Sequence, residues 1–216
     1  MRRPHVEIDG NDGHEALQDF ESQLAREDVS ALVLPAIPYG VTRLAQSFAG
    51  GVTLRPGTLW ALVEDMVLSL QQDGIRQLLL CNCHHEWEHQ RVLHNLALDY
   101  VERGEGACQI LMPARNDSRL EEVECHGGRR ETSLMLAAAP GRVEMQDLER
   151  LEPFQIDLPV PERGVNRSLA ELGAARGYCG DPSGASQAEG SQLLQQLAEG
   201  HVSACRETWA DLFVLS

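Results

Sequence analysis

Between residues 57 and 113 the chain alternates two kinds of segment, and that alternation limits its fold more than any other feature. GTLWALVEDMVLSLQQD (57–73) carries apolar side chains at helical spacing and is stopped by Gly74. IRQLLLCN (75–82) is a short apolar run, His85 to Arg103 is helical again, and ACQILMP (107–113) is a second short run. Helices set between short apolar runs are the pattern of parallel strands joined by crossover connections, an α/β fold. The flanks extend it. Glu15 to Glu27 spaces Leu17, Phe20 and Leu24 on one helical face, and SALVLPAIPYG (30–40) reads as a buried strand and loop. Thr132 to Ala139 is predicted helical, with Thr or Ser as cap, and Gly141 to Arg163 is a surface loop. Residues 186–212 read as one long helix packed along the outside. The 216 residues suffice for one sizeable core and are taken as a single domain over 1–216.

Charge narrows the partners. Acidic residues outnumber basic ones 33 to 18, a net charge of −15, which argues against nucleic acid or an anionic membrane surface. No apolar run approaches the roughly 20 residues of a membrane span, and MRRPHVEIDGNDGHE has no apolar signal core. Cys81, Cys83, Cys108, Cys125, Cys179 and Cys205 are scattered without a CxxC pair. They are read as reduced thiols of a cytoplasmic protein, not as a zinc site.

Residues 78–90, LLLCNCHHEWEHQ, end an apolar run in metal-capable side chains. In extended chain His84 and Glu86 point the same way and His85 oppositely. An imidazole and a carboxylate at the carboxyl end of a buried parallel strand suit Zn²⁺, Mn²⁺ or a similar divalent ion. The alternative is a solvated strand-to-helix loop. A second constellation is ECHGGRRETSLMLAAAPGRV (124–143), where His126 stands beside two glycines ahead of a helix start. That placement suits proton transfer, although a plain loop histidine fits the motif as well.

In order, LVLPAIPYG, SFAGGVTLRPGTL, NCHHEW, HGGRRETSLMLAAAPGRV and YCGDPSGASQAEG resemble the creatininase (creatinine amidohydrolase) family, from about Gly10 to the C-terminus. The resemblance implies a three-layer α/β/α sandwich around a mostly parallel sheet. It implies a divalent cofactor, Zn²⁺ or Mn²⁺, as a pair of ions where the full ligand set exists, activating a hydroxide against a small-molecule amide. It implies His84, Glu86 and a bridging Asp12 as ligands, and Glu131 as a ligand or orienting group. It also implies His126 as proton shuttle, with Glu86 beside it in the catalytic centre. His85 takes the place of a substrate-contacting tyrosine, and Trp87 lines the pocket or buries an edge of a helix. A homo-oligomer, dimer or hexamer, is expected. His89, His94 and His201 are expected at the surface, and the Gly180–Ser183 turn is expected to lead into a helix with Asp or Ser capping.

The sequence also departs from the family. A Glu-x-His segment that supplies two further ligands has no counterpart ahead of Asp12, which implies either a start placed too far downstream or a member that has lost them. His5, Glu7 and Asp9 alternate with Val6 and Ile8, with His14 close behind, so they read as a rebuilt ligand set or as a frayed terminus. Cys83 replaces a glycine beside the metal, and MPARNDSRLEEVEC lacks the aromatic residues that clamp creatinine, which makes creatinine itself a poor substrate. Two expectations stand: a metal-dependent amidohydrolase with His126 as shuttle, or a catalytically silent subunit or scaffold.

Overall fold

The computed structural model describes residues 20–104, 106–112, 126–156 and 167–213. Its first helix, α1, includes residues 20–25. Then come α2 (Pro56–Gln72), β1 (Gln77–Leu79), α3 (Trp87–Arg103) and β2 (Gln109–Leu111). After these lie α4 (Arg129–Ala138), α5 (Met145–Leu148) and α6 (Gln187–Thr208), with single 3₁₀ turns at Pro140–Arg142, Pro182–Gly184 and Ala210–Phe213.

β1 and β2 pair in parallel with Leu78 opposite Ile110 and Leu79 opposite Leu111, and α3 is the connection between them. Strand alternation then assigns the layers. Leu78, Leu80 and Ile110 pack with Leu59, Val63 and Val67 of α2 and with Val92, Leu93, Leu96 and Tyr100 of α3. Leu79 and Leu111 pack on the other side, against Phe20 and Leu24 of α1 and Ala198, Val202 and Cys205 of α6. Both faces of the sheet are therefore covered by helices, as the near-continuous apolar runs require. The expected α/β/α layering is observed.

The segment 30–40 departs from expectation. No strand forms there, and Leu32 and Tyr39 are 68% and 53% exposed. Pro35 and Pro38 supply the reason, since neither has an N–H for a ladder and both fix φ. The segment runs to Gly40 and Val41, which are buried. α4 begins at Arg129, three residues earlier than predicted, with Gly128 as N-cap and no side-chain cap. Thr132 and Ser133 are buried instead. Ser133 Oγ donates to Glu189 and accepts from the Ser186 amide, which ties α4 to the start of α6.

The Gly180–Ser183 turn is capped by Asp181 as expected, whereas the long helix is capped by Ser186 beyond that turn. Asp181 accepts from the Gly184 amide and Ser186 from the Glu189 amide. α6 ends at Thr208 rather than running on to Leu212, and it is no outer strut. Gly190, Leu194, Ala198, Val202 and Cys205 form a buried stripe at helical spacing. The loop predicted over Gly141–Arg163 contains α5, and Phe154 pairs with Gly180 in an antiparallel bridge. The reading of all cysteines as reduced is corrected: Cys179 is disulfide-bonded to a partner outside the described residues, while Cys81, Cys83, Cys108 and Cys205 form no disulfide.

Candidate metal-binding centre

After β1 the chain leaves the ladder and crosses residues 80–86 without regular structure before Glu86 caps α3. His84 and Glu86 meet there. His84 Nε2 lies 3.9 Å from Glu86 Oε2, and both side chains are mostly buried. The two side chains that the extended-chain argument places on one side do approach each other, although the strand itself stops at Leu79.

Each donor also has a partner in the backbone of residues 41–44. His84 Nε2 is 2.9 Å from the Val41 carbonyl, and a carbonyl only accepts, so Nε2 carries the proton. The Glu86 carboxylate accepts from the Arg43 amide at 2.7 and 2.9 Å and from the Leu44 amide at 3.2 Å. Arg43 extends over the same corner to pair with Glu88 through its guanidinium. The pair thus anchors the 41–44 loop to the start of α3. A cation between Nε2 and Glu86 requires Nε2 to lose its proton and release Val41.

His89 was expected at the surface and is corrected by the structure, being only 7% exposed. Its Nδ1 accepts from the Val41 amide at 3.2 Å and its Nε2 reaches Asn82 Oδ1 at 3.1 Å. Its ring meets that of His84 edge-on, with centroids 4.9 Å apart. Burial first, and His84 second, push its pKa down to about 4, so the imidazole is neutral near pH 7. The signal was in the sequence: His89, Val92, Leu93, Leu96 and Tyr100 form one helical stripe, and His89 opens it. His201 is likewise half-buried, with Nδ1 donating to the Leu197 carbonyl, and burial lowers its pKa. His94 is exposed as expected.

The remaining candidates are dispersed. His85 is exposed with Nδ1 2.9 Å from Gln90 Nε2, and Trp87 is 47% exposed at the first position of α3. His126 pairs with Cys179 in an antiparallel bridge, with its backbone donating at 3.2 Å and accepting at 2.7 Å. Glu131 accepts from the Gly127 amide at 2.6 Å, which makes it an orienting group for the turn after His126. Among the described residues no three His, Cys, Asp or Glu side chains converge on one metal position, so Glu131 does not join His84 and Glu86. Asp12 lies outside the described residues, as do His5, Glu7, Asp9 and His14. Burial pushes the Cys81 thiol up to about 12 and that of Cys205 up to about 11, so neither is a thiolate near neutral pH.

An apolar cavity of about 670 Å³ opens between segment 29–40, α2 and β1, and Asn82, Cys83 and His84 line its polar end. The 41–51 loop connects this corner to the His126 region. Leu44 and Phe48 pack against Leu169, Ala174 and Cys179, and the Leu169 amide donates to the Leu44 carbonyl at 2.8 Å.

The family model for creatininase, described as creatinine amidohydrolase, matches residues 14–205. The chain is 28% identical over 207 residues to a creatinine amidohydrolase of Pseudomonas putida, covering 84% of this chain and 76% of that protein. Its fold is similar to a crystal structure of creatinine amidohydrolase, with TM-score 0.71, 23% identity, and coverage of 91% and 81% of the two chains. It also resembles a mutant creatininase of Zn-Zn type (TM-score 0.69, 22% identity, 91% and 81% coverage) and a creatininase Mn structure (TM-score 0.64, 21% identity, 91% and 81% coverage).

Proposed function

Since the chain belongs to the creatininase family, we propose that it is a metal-dependent amidohydrolase acting on a small-molecule amide, with Zn²⁺ or Mn²⁺ held at His84 and Glu86. The observation that carries this reading is the 3.9 Å approach of His84 Nε2 to Glu86 Oε2 at the carboxyl end of β1. Two donors on one tetrahedral zinc lie about 3.4 Å apart for bonds of about 2.1 Å, so the pair needs only a small closure. An imidazole with a carboxylate matches the chemistry of either ion. Asp12 is the proposed third, shared ligand.

When bound, the metal supplies a Lewis acid for the amide carbonyl and acidifies a water for attack. The chain supplies the rest. The Arg43 and Leu44 amides hold the Glu86 carboxylate in place, which limits its rotation toward or away from the cation. His126, on the turn that Glu131 steadies through the Gly127 amide, delivers the proton that the leaving amine needs. The apolar cavity beyond Asn82 and His84 accommodates the body of the substrate, while His85 and Trp87 stand at the exposed approach to α3. A homo-oligomer, as dimer or hexamer, belongs to the same proposal, as does cytoplasmic location, although the disulfide at Cys179 weighs against the latter. No described helix is long and apolar enough to cross a membrane.

A second reading, a catalytically silent subunit or scaffold, is favoured by one specific observation. Both donors are already engaged by backbone groups of residues 41–44, where they do structural work. Metal analysis of the purified chain, combined with hydrolysis assays on cyclic and linear amides, separates the two. Stoichiometric Zn²⁺ or Mn²⁺ with turnover lost in His84→Ala supports the hydrolase. A folded chain that takes up no divalent ion supports the scaffold.

A further inference from the structure

The cavity of about 670 Å³ lies in the sheet layer itself. Leu59, Val63 and Val67 line it from the helix layer of α2, and Phe20, Leu24 and Cys205 line it from the opposite layer. Along its length it is bounded by β1 and by segment 29–37, and no residue of β2 lines it. It therefore lies beside the edge of β1 that faces away from β2. Backbone hydrogen bonding identifies that edge. The Arg76 carbonyl and the Leu80 amide bond to β2, so the alternation of a parallel ladder turns the N–H and C=O of Gln77 and Leu79 the other way. Among the described residues these groups have no partner, and neither has any backbone group of residues 30–39. Two unpaired stretches of backbone thus flank one apolar cavity.

We propose that this cavity binds an extended apolar peptide as an added strand on β1, and that the amide substrate proposed above is therefore a short peptide. The walls define the ligand. A compact apolar molecule would fill the space but cover the N–H and C=O of Gln77 and Leu79 without pairing them, whereas an extended peptide pairs them. Apolar side chains are needed on both faces of that strand, since one face meets Val63 and Val67 and the other meets Phe20 and Leu24. The span from Gln77 to Cys81 matches about five residues at about 3.3 Å each. The chain's own stretch His5–Asp9 suits only one of the two faces, because Glu7 and Asp9 alternate with Val6 and Ile8. β1 leads to Asn82 and His84 at the polar end of the cavity, so one end of the bound peptide reaches the His84–Glu86 pair. Cleavage there rests on the hydrolase reading: water adds across the C–N bond at that end, giving a carboxylate and an amine. The strand site rests on the geometry of β1 alone.

The test uses the full chain and the peptide acetyl-Lys-Val-Ile-Val-Ile-Lys-amide. Its partner is the analogue N-methylated at every valine and isoleucine, which keeps the apolar side chains but lacks the N–H groups of a strand. Amide exchange of Leu78 and Leu79, followed by ¹H–¹⁵N spectra without metal, reports strand addition. At a peptide concentration ten times Kd the Leu79 amide should exchange about 10-fold more slowly, with no change for the analogue at the same concentration. Equal slowing by both peptides, or slowing by neither, overturns the strand site. A Leu79 amide already as protected as that of Leu78 in the chain alone overturns it too, because the edge is then paired from within. Mass spectrometry of the peptide after incubation with the chain and Zn²⁺ or Mn²⁺ reports cleavage, expected in the parent and lost in His84→Ala. Strand addition without cleavage in either metal overturns the hydrolase reading and leaves the strand site standing.

Discussion

Replacing Glu86 by glutamine probes the corner where the site and the fold meet. The carboxylate accepts from the Arg43 amide through both oxygens, at 2.7 and 2.9 Å, and from the Leu44 amide at 3.2 Å. Glutamine keeps the shape but removes the charge and turns one oxygen into a donor facing those amides. A hydrogen bond to a charged group contributes about 1.5–3 kcal/mol and a neutral one about 0.5–1.5, so weakening the contacts to two amides costs about 2 kcal/mol. The opposed N–H groups add about 1 kcal/mol, for a total of about 2–3 kcal/mol. For a chain of this size that lowers Tm by about 5–10 °C. Urea unfolding followed by circular dichroism at neutral pH measures it. Glu88→Gln is the control, since its pairing with Arg43 is partly exposed and should contribute less than about 1 kcal/mol. If Glu86→Gln unfolds within about 0.5 kcal/mol of the parent, the carboxylate does not anchor the 41–44 loop as described.

Other predictions concern packing, protonation and thiols. A Cβ on Gly190 would lie 1.8 Å from the Ser133 carbonyl oxygen, so Gly190→Ala must push α6 off α4, and a loss of at least about 3 kcal/mol in urea unfolding is expected. His201 is held neutral by burial, with its folded pKa below the unfolded value of 6.5. Its contribution is complete above that pH and is lost as pH falls below it, because the unfolded chain takes up the proton first. Unfolding free energy should therefore rise more shallowly with pH just below 6.5 in His201→Gln than in the parent. Alkylation of the denatured chain without reductant, read by mass spectrometry, should label Cys81, Cys83, Cys108 and Cys205 and spare Cys179.

Periodicity made much of this molecule legible. The stripes of α2 and α3 and the short runs at 75–82 and 107–113 specify helices and strands because each segment buries one face or two, and burial is what hydrophobic spacing encodes. Segment 30–40 looked equally apolar, yet its prolines remove the hydrogen bonds that a strand needs, so composition misled where backbone chemistry decided. At the candidate site, the two-residue spacing of His84 and Glu86 anticipated that their side chains approach each other. What it could not supply was the identity of their partners, because Val41, Arg43 and Leu44 act through backbone groups that carry no sequence signature. His89 was misplaced for a different reason. Histidine is usually polar enough to face solvent, and here Val41 and Asn82 satisfy both of its nitrogens, which makes burial on an apolar stripe tolerable. The first three residues of α4 were missed because Gly128 serves as N-cap without a side chain, so Thr132 and Ser133 looked like the natural boundary.

The most direct measurement is anomalous scattering from crystals grown with Zn²⁺ or Mn²⁺, collected on both sides of the metal edge. The account predicts a peak within about 2.0–2.3 Å of a His84 ring nitrogen and a Glu86 carboxylate oxygen, with Asp12 as a further ligand. A fully ordered His84–Glu86 corner with no peak, its donors still on Val41, Arg43 and Leu44, would contradict it.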